Sequence, residues 1–293
     1  MTPDRLARLF QIEALPLRLL SRAVAESGGI VVERLGFDIG GERVRGVLAR
    51  PPGDEAKPAI LYAHAHGGAY DIGADELMQG RLALLSPLGP VFAAAGYVTL
   101  CLDMPAFGER SNVAESALAK ALLWHGKSLF GQMLREQAAA LGYLAGRDDV
   151  DARRIGMFGI SMGATLSYWL AAVDQRVAAI AHLCCYADFA ALIETGAHDL
   201  HGLYLTVPGL LSETSTGEIA GLVAPRPQLI CVGEDDALTP PLAVDRALAV
   251  TGPMYGGGPL ELLRQAEVGH QETAQMRVAV LDFFNRTLGR DRV

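Results

Sequence analysis

Two kinds of apolar pattern alternate along this chain. Short continuous runs, "PAILYAHAHGG", "YVTLCLDM", "RIGMFGIS", "VAAIAHLCCYA", "PQLICVGE" and "LELLRQAEV", read as strands, most of them buried on both faces. Longer segments with helical character lie between them, at about 78–95, 114–145, 162–173 and 271–289, the last with a glycine stop. Ahead of the first run, "VVERLGFDI" and "RVRGVLARP" are joined by Gly40-Gly41-Glu42, a connection that suits a hairpin. The N-terminal residues Leu6, Leu9, Phe10, Ile12 and Leu15 suit an amphipathic helix, so 1–27 is expected to be a helical segment lying on the body of the protein. Strands alternating with helices imply right-handed crossovers. The expected fold is α/β, a doubly wound, mostly parallel sheet with helices on both faces.

One segment breaks the rhythm. Residues 188–225 lie between two strands and are too long for a simple connection. They predict a small helical cap over the sheet, within a single domain spanning 1–293, as no repeat or linker marks a boundary. Composition agrees: 51% apolar and 20% charged residues supply a sizeable core. The net charge of -8, with no offsetting basic cluster, argues against nucleic acid or an anionic membrane as partner. No apolar run reaches the roughly 18 residues of a membrane span, and the N-terminus lacks the pattern of a secretory signal. Cys101, Cys184, Cys185 and Cys231 sit in apolar runs without metal-site spacing. Reduced, buried thiols in a cytoplasmic protein are the simplest account.

Chemistry concentrates at Gly159-Ile160-Ser161-Met162-Gly163, where an apolar strand runs into a helix. That context turns Gly-x-Ser-x-Gly into a nucleophile elbow, with the serine hydroxyl clear of the sheet at a helix N-terminus. A serine needs a base, oriented by an acid, to become a nucleophile. His270 follows the run "LELLRQAEV" and precedes the closing helix. Asp236 stands in the loop after "PQLICVG", ahead of Thr239-Pro240, which reads as an N-cap with proline in the first helical turn. Asp235 is the fallback for the acid. The backbone N–H of Met162 is one expected oxyanion donor, and Gly68 in "HAHGGAY" the second, with Ala69 able to serve equally.

This constellation resembles the α/β-hydrolase family over nearly the whole chain, from "LYAHAHGGAY" through "DMPAFGER" and "VGEDDALTP" to "GHQETAQMRVAVLDFF". Within it the chain is similar to the dienelactone hydrolase and acetyl xylan esterase relatives. Those carry Asp-x-x-Arg-Ile before the elbow, here Asp151-Ala152-Arg153-Arg154-Ile155 and slightly longer, and His-x-Glu-Thr near the end, here His270-Gln271-Glu272-Thr273. Dienelactone hydrolases use a cysteine nucleophile, whereas this chain has Ser161, so the resemblance implies ordinary ester hydrolysis without a cofactor. A small-molecule ester is the expected partner. The alternatives are a peptidase or acyltransferase using the same three residues, or a binding protein that keeps the fold as a ligand pocket.

Two further sets of residues invite a role. His64 and His66 share a strand face and could bind a metal with His182, but further ligands are lacking, so no metal is expected. The simpler expectation is that His66 braces the oxyanion loop and His64 is a satisfied interior residue. His66, Tyr70, Phe107, and His201 and Tyr204 of the cap are the candidate pocket residues.

Overall fold

The computed structural model describes residues 1–289. In chain order the elements are α1 (Pro3–Leu9), β1 (Leu17–Ser27), β2 (Ile30–Ile39), β3 (Glu42–Arg50), β4 (Lys57–Ala63), α2 (Glu76–Gln79), α3 (Leu88–Ala94) and β5 (Val98–Leu102). Then come α4 (Glu115–Trp124), α5 (Leu129–Ala145), β6 (Val150–Ile160), α6 (Met162–Val173) and β7 (Val177–Leu183). The cap carries α7 (Phe189–Thr195), α8 (Leu210–Glu213) and α9 (Thr216–Gly221), and β8 (Gln228–Gly233), α10 (Pro241–Tyr255), β9 (Leu260–Gln265) and α11 (Ala274–Leu288) follow within the described residues.

The nine strands form one sheet in the order β1-β2-β3-β5-β4-β6-β7-β8-β9. The first three pairings are antiparallel and the remaining five parallel. Alternate side chains along the parallel strands enter two separate cores, as the period of two requires. Ile155 and Met157 of β6 join the core with α5 and α6; Phe158 and Ile160 join the one with α3 and α11. Both faces are therefore covered, and the parallel strands read as continuous apolar runs for that reason.

The N-terminal expectation is corrected. Within 1–27 the helix is confined to Pro3–Leu9, and Leu17–Ser27 is a strand paired antiparallel with β2 through a turn at Gly28-Gly29. Pro16 cannot continue a helix hydrogen-bond ladder, and two consecutive glycines with φ 60° and 79° close the hairpin. Nearly every residue of β1 is exposed, so its strand pairing left little burial pattern to read. The helix that does form is anchored by buried Leu6, and by Phe10, which follows it and stacks on Trp169 at 4.6 Å between ring centroids.

Other boundaries shift modestly. The helical stretch 114–145 is two helices, the second capped by Ser128, whose hydroxyl accepts from Gly131 N. Cys184 and Cys185 lie just beyond β7 rather than within it, and all four cysteines are free and buried. The cap adopts short helices as expected, entered by Asp188 accepting from Ala191 N and by a reciprocal capping box between Ser215 and Glu218. Among the described residues no helix is long and apolar enough to cross a membrane.

Candidate active site

The loops beyond β4, β6, β7, β8 and β9 open on the carboxyl edge of the parallel strands, where open α/β sheets bind ligands. Ser161 occupies the one-residue turn between β6 and α6, with φ 60° and ψ −123°. A left-handed φ on a residue with a Cβ costs about 1–3 kcal/mol, so the surrounding contacts must hold it. Its N–H donates to Leu183 O at 2.9 Å and its carbonyl accepts from Ala164 N at 2.9 Å. The flanking glycines are dictated by close approach. A Cβ on Gly163 would lie 1.9 Å from Ala63 O, and one on Gly159 would lie 2.2 Å from the Gly163 carbonyl carbon. Helix α6 can start this close to the sheet only without those side chains.

Two strands along from β6, the loop after β8 turns Asp236 inward. Its carboxylate is fully buried and accepts three hydrogen bonds: Leu238 N on Oδ1 at 2.9 Å, and Thr239 Oγ1 and His270 Nδ1 on Oδ2, each at 2.7 Å. Burial alone would raise the carboxyl pKa. The hydrogen bond and charge of His270, with the Thr239 and Leu238 donors, outweigh it and hold Asp236 below the ordinary carboxylate range. Asp235 is exposed and its N–H is tied to Val268 O, so His270 meets Asp236 and not its neighbour. The N-cap expectation for Thr239 is corrected: Pro240 holds that position, which frees the Thr239 hydroxyl for Asp236.

The loop after β4 is braced from two sides. Buried Glu76 accepts from Ala65 N at 3.2 Å, and Arg81, itself paired with Glu76, donates to Ala65 O at 2.9 Å. On the other side Gly68 N donates to His66 Nδ1 at 3.1 Å, and His66 Nε2 lies 2.5 Å from Oε2 of Glu115 at the start of α4. His66 stacks on Tyr204 of the cap at 4.8 Å and meets Tyr70 and Phe107 edge-on. Four of the five pocket candidates therefore share one aromatic cluster. The fifth, His201, sits apart: its Nε2 lies 3.0 Å from Leu238 O, and it lines a cavity of about 430 Å³ within the cap, beside Phe189, Leu203 and Val207.

His64 and His66 do not meet as a metal pair. His64 Nδ1 lies 2.9 Å from Ala65 O, its Nε2 accepts from Met104 N at 3.1 Å, and burial pushes its pKa down to about 4. Both ring nitrogens of both histidines have protein partners. Sequence reasoning overlooked Glu115, Thr239 as a carboxylate donor, and Cys184. The last follows β7, which lies between β6 and β8, and its sulfur falls within 4.8 Å of ligand atoms of Asp236 and His270. Burial pushes the Cys184 thiol pKa up, with the Asp236 charge adding to it.

A doubly wound sheet with a serine elbow at its carboxyl edge defines the class as an α/β-hydrolase. The resemblance extends to known proteins. Residues 40–221 match the X-Pro dipeptidyl-peptidase (S15) family. "Putative hydrolase YtaP" of Bacillus subtilis (strain 168) is 35% identical over 299 residues, covering 98% of this chain and 100% of its own length. Among solved structures, an acetyl xylan esterase from Paenibacillus sp. R4 superposes with a TM-score of 0.68 at 17% identity, covering 98% of this chain and 93% of its own. A glucuronoyl esterase from Solibacter usitatus superposes with a TM-score of 0.70 at 14% identity, covering 98% and 92%. These structural likenesses establish the fold alone. The chain belongs to the X-Pro dipeptidyl-peptidase (S15) family.

Proposed function

We propose that this protein is a serine hydrolase of small or medium carboxylic esters, with Ser161 as nucleophile, His270 as base and Asp236 as its orienting acid. The observation that carries the proposal is the 2.7 Å bond from half-buried His270 Nδ1 to the buried Asp236 carboxylate, on the sheet edge to which the elbow delivers Ser161. It fixes the imidazole with its proton on Nδ1, which leaves Nε2 as the proton acceptor that a serine nucleophile requires.

In the reaction, Ser161 Oγ bonds to the ester carbonyl carbon as its proton passes to His270 Nε2. The carbonyl π pair moves onto oxygen, where Met162 N–H at the first turn of α6 receives the charge; the Gly68 and Ala69 N–H groups expected as the second donor are instead engaged by His66, on Nδ1 and on its carbonyl oxygen. The intermediate collapses, the C–O bond to the alcohol breaks, and the alkoxide leaves with the Nε2 proton. Water then attacks the acyl-enzyme with Nε2 as base, and the acid departs as Ser161 recovers its proton. No step calls for a cofactor. The acetyl xylan esterase and glucuronoyl esterase among its structural neighbours support a small acyl group and a sugar-derived ester as the first substrates to try. Four buried free thiols fit a reducing, cytoplasmic setting.

A second reading, cleavage of the amide bond after an X-Pro pair, is favoured by the family match over residues 40–221. p-Nitrophenyl acetate, butyrate and octanoate, run beside glycyl-prolyl-p-nitroanilide, separate the two. The expected result is turnover of the acetate and butyrate esters, loss of it in Ser161→Ala, and fluorophosphonate labelling at Ser161. Equal ester hydrolysis by the wild type and Ser161→Ala would end the proposal.

A further inference from the structure

The loop carrying Gly68 depends on a histidine tautomer, and the tautomer depends on an acid outside the three proposed reacting residues. Gly67 and Gly68 both adopt left-handed φ, 51° and 68°, a conformation with no side chain of its own to hold it. Two bonds to His66 tie it down, Ala69 N donating to its carbonyl oxygen at 3.2 Å and Gly68 N donating to its Nδ1, and only the second involves the ring. A backbone N–H is only a donor, so His66 Nδ1 must present a lone pair. In a neutral ring the proton then sits on Nε2, facing Glu115 Oε2 at 2.5 Å.

From this geometry we infer that Glu115 is a positioning residue: it fixes His66 as the Nε2-protonated tautomer and thereby sets the Gly67-Gly68 loop after β4, beside the Ser161 elbow. This inference rests on the proposed ester hydrolysis for its catalytic consequence, not for the tautomer itself. Glu115 is itself held in place. It is 6% exposed, and Gly202 of the cap lies so close that a Cβ there would fall 2.9 Å from Glu115 Oε1. The Tyr70 hydroxyl lies 3.5 Å from Oε2. The cap thus closes over the carboxylate, leaving His66 as its hydrogen-bond partner at short distance. Without Glu115 the other tautomer becomes accessible, and its Nδ1–H would oppose Gly68 N–H, donor against donor.

The test is the ¹⁵N spectrum of the His66 ring in the intact protein, with ester kinetics on Glu115→Ala and Glu115→Gln. The inference expects an unprotonated Nδ1 and protonated Nε2 in the wild type and in Glu115→Gln, whose amide oxygen still accepts from Nε2–H. Glu115→Ala is expected to mix the tautomers and, by displacing the loop beside Ser161, to lower kcat roughly 10- to 100-fold, the loss that a small misplacement near the reacting groups brings. Most of kcat should return in Glu115→Gln. A protonated Nδ1 in the wild type, an unchanged kcat in Glu115→Ala, or no recovery in Glu115→Gln overturns the inference. The ring spectrum needs no substrate, so failure of the ester proposal is distinguishable from failure here. The wild type and Glu115→Gln decide the tautomer even if Glu115→Ala fails to fold.

Discussion

Replacing Asp236 by asparagine keeps the shape of the side chain and changes only which atoms donate. The structure allows two orientations of the amide. In one, the amide oxygen takes the place of Oδ1 and accepts from Leu238 N–H, while the NH₂ group replaces Oδ2, facing Thr239 and His270. Every group is then satisfied, since the Thr239 hydroxyl can turn to accept. His270 Nδ1 must become an acceptor, however, so Nε2 carries the proton and cannot take one from Ser161. In the flipped orientation the productive tautomer returns, but the NH₂ group opposes Leu238 N–H across 2.9 Å. A buried donor left unmatched costs about 1–3 kcal/mol, so the productive orientation is populated about 5- to 150-fold less. Losing the carboxylate charge beside an imidazolium removes more, because charge-assisted hydrogen bonds are roughly twice as strong as neutral ones. The combined expectation is a fall in kcat of about 10³- to 10⁴-fold, in line with the ~10⁴ seen when an aspartate in this role is amidated elsewhere. Stopped assays on p-nitrophenyl acetate, with the folded state checked by circular dichroism, measure it. If Asp236→Asn keeps more than about a tenth of wild-type kcat, Asp236 does not orient the base.

Two other expectations concern the scaffold. Gly163→Ala places a Cβ 1.9 Å from Ala63 O and 2.7 Å from its carbonyl carbon, both backbone atoms of a central strand, so the cost should exceed about 3 kcal/mol; a wild-type melting temperature refutes that close approach. His64 and His182 are buried with pKa values pushed down to about 4 and about 3, against about 6.5 when unfolded. Below pH 6.5 the unfolded chain binds protons that the folded one refuses, so their stabilising contribution is whole above that pH and declines as pH falls toward 4 and 3. Each should remove about 1.5 kcal/mol between pH 6.5 and 5, read as a lower urea midpoint, and a flat midpoint over that range refutes it.

Much of this molecule was legible because burial on both faces forces apolar strands to appear as unbroken runs. The positions of Ser161, Asp236 and His270 followed from those runs, each being placed just past the end of one. Strand β1 was hidden for the converse reason: at the edge of the sheet, with almost no buried residue, Leu17–Ser27 carries no alternation. Pro16 and the Gly28-Gly29 pair were the signals that could have exposed it. Glu115 could not be found, because an acid in the first turn of an amphipathic helix looks the same in sequence whether it faces water or a buried histidine. Cys184 became visible only once the strand order set β7 between β6 and β8. Thr239 was misassigned because a threonine before a proline fits a helix cap as readily as a donor to a carboxylate.

The strand order also bears on when the proposed chemistry can begin. His270 follows β9, the last strand among the described residues and one edge of the sheet, which pairs there with β8 alone. Under the proposed mechanism, a chain already carrying the elbow has no base for Ser161 until that border strand docks. On that mechanism ester cleavage therefore cannot precede the docking of β9, and a time course of refolding followed by ester cleavage should not run ahead of one followed by fluorescence of Trp169 in the interior.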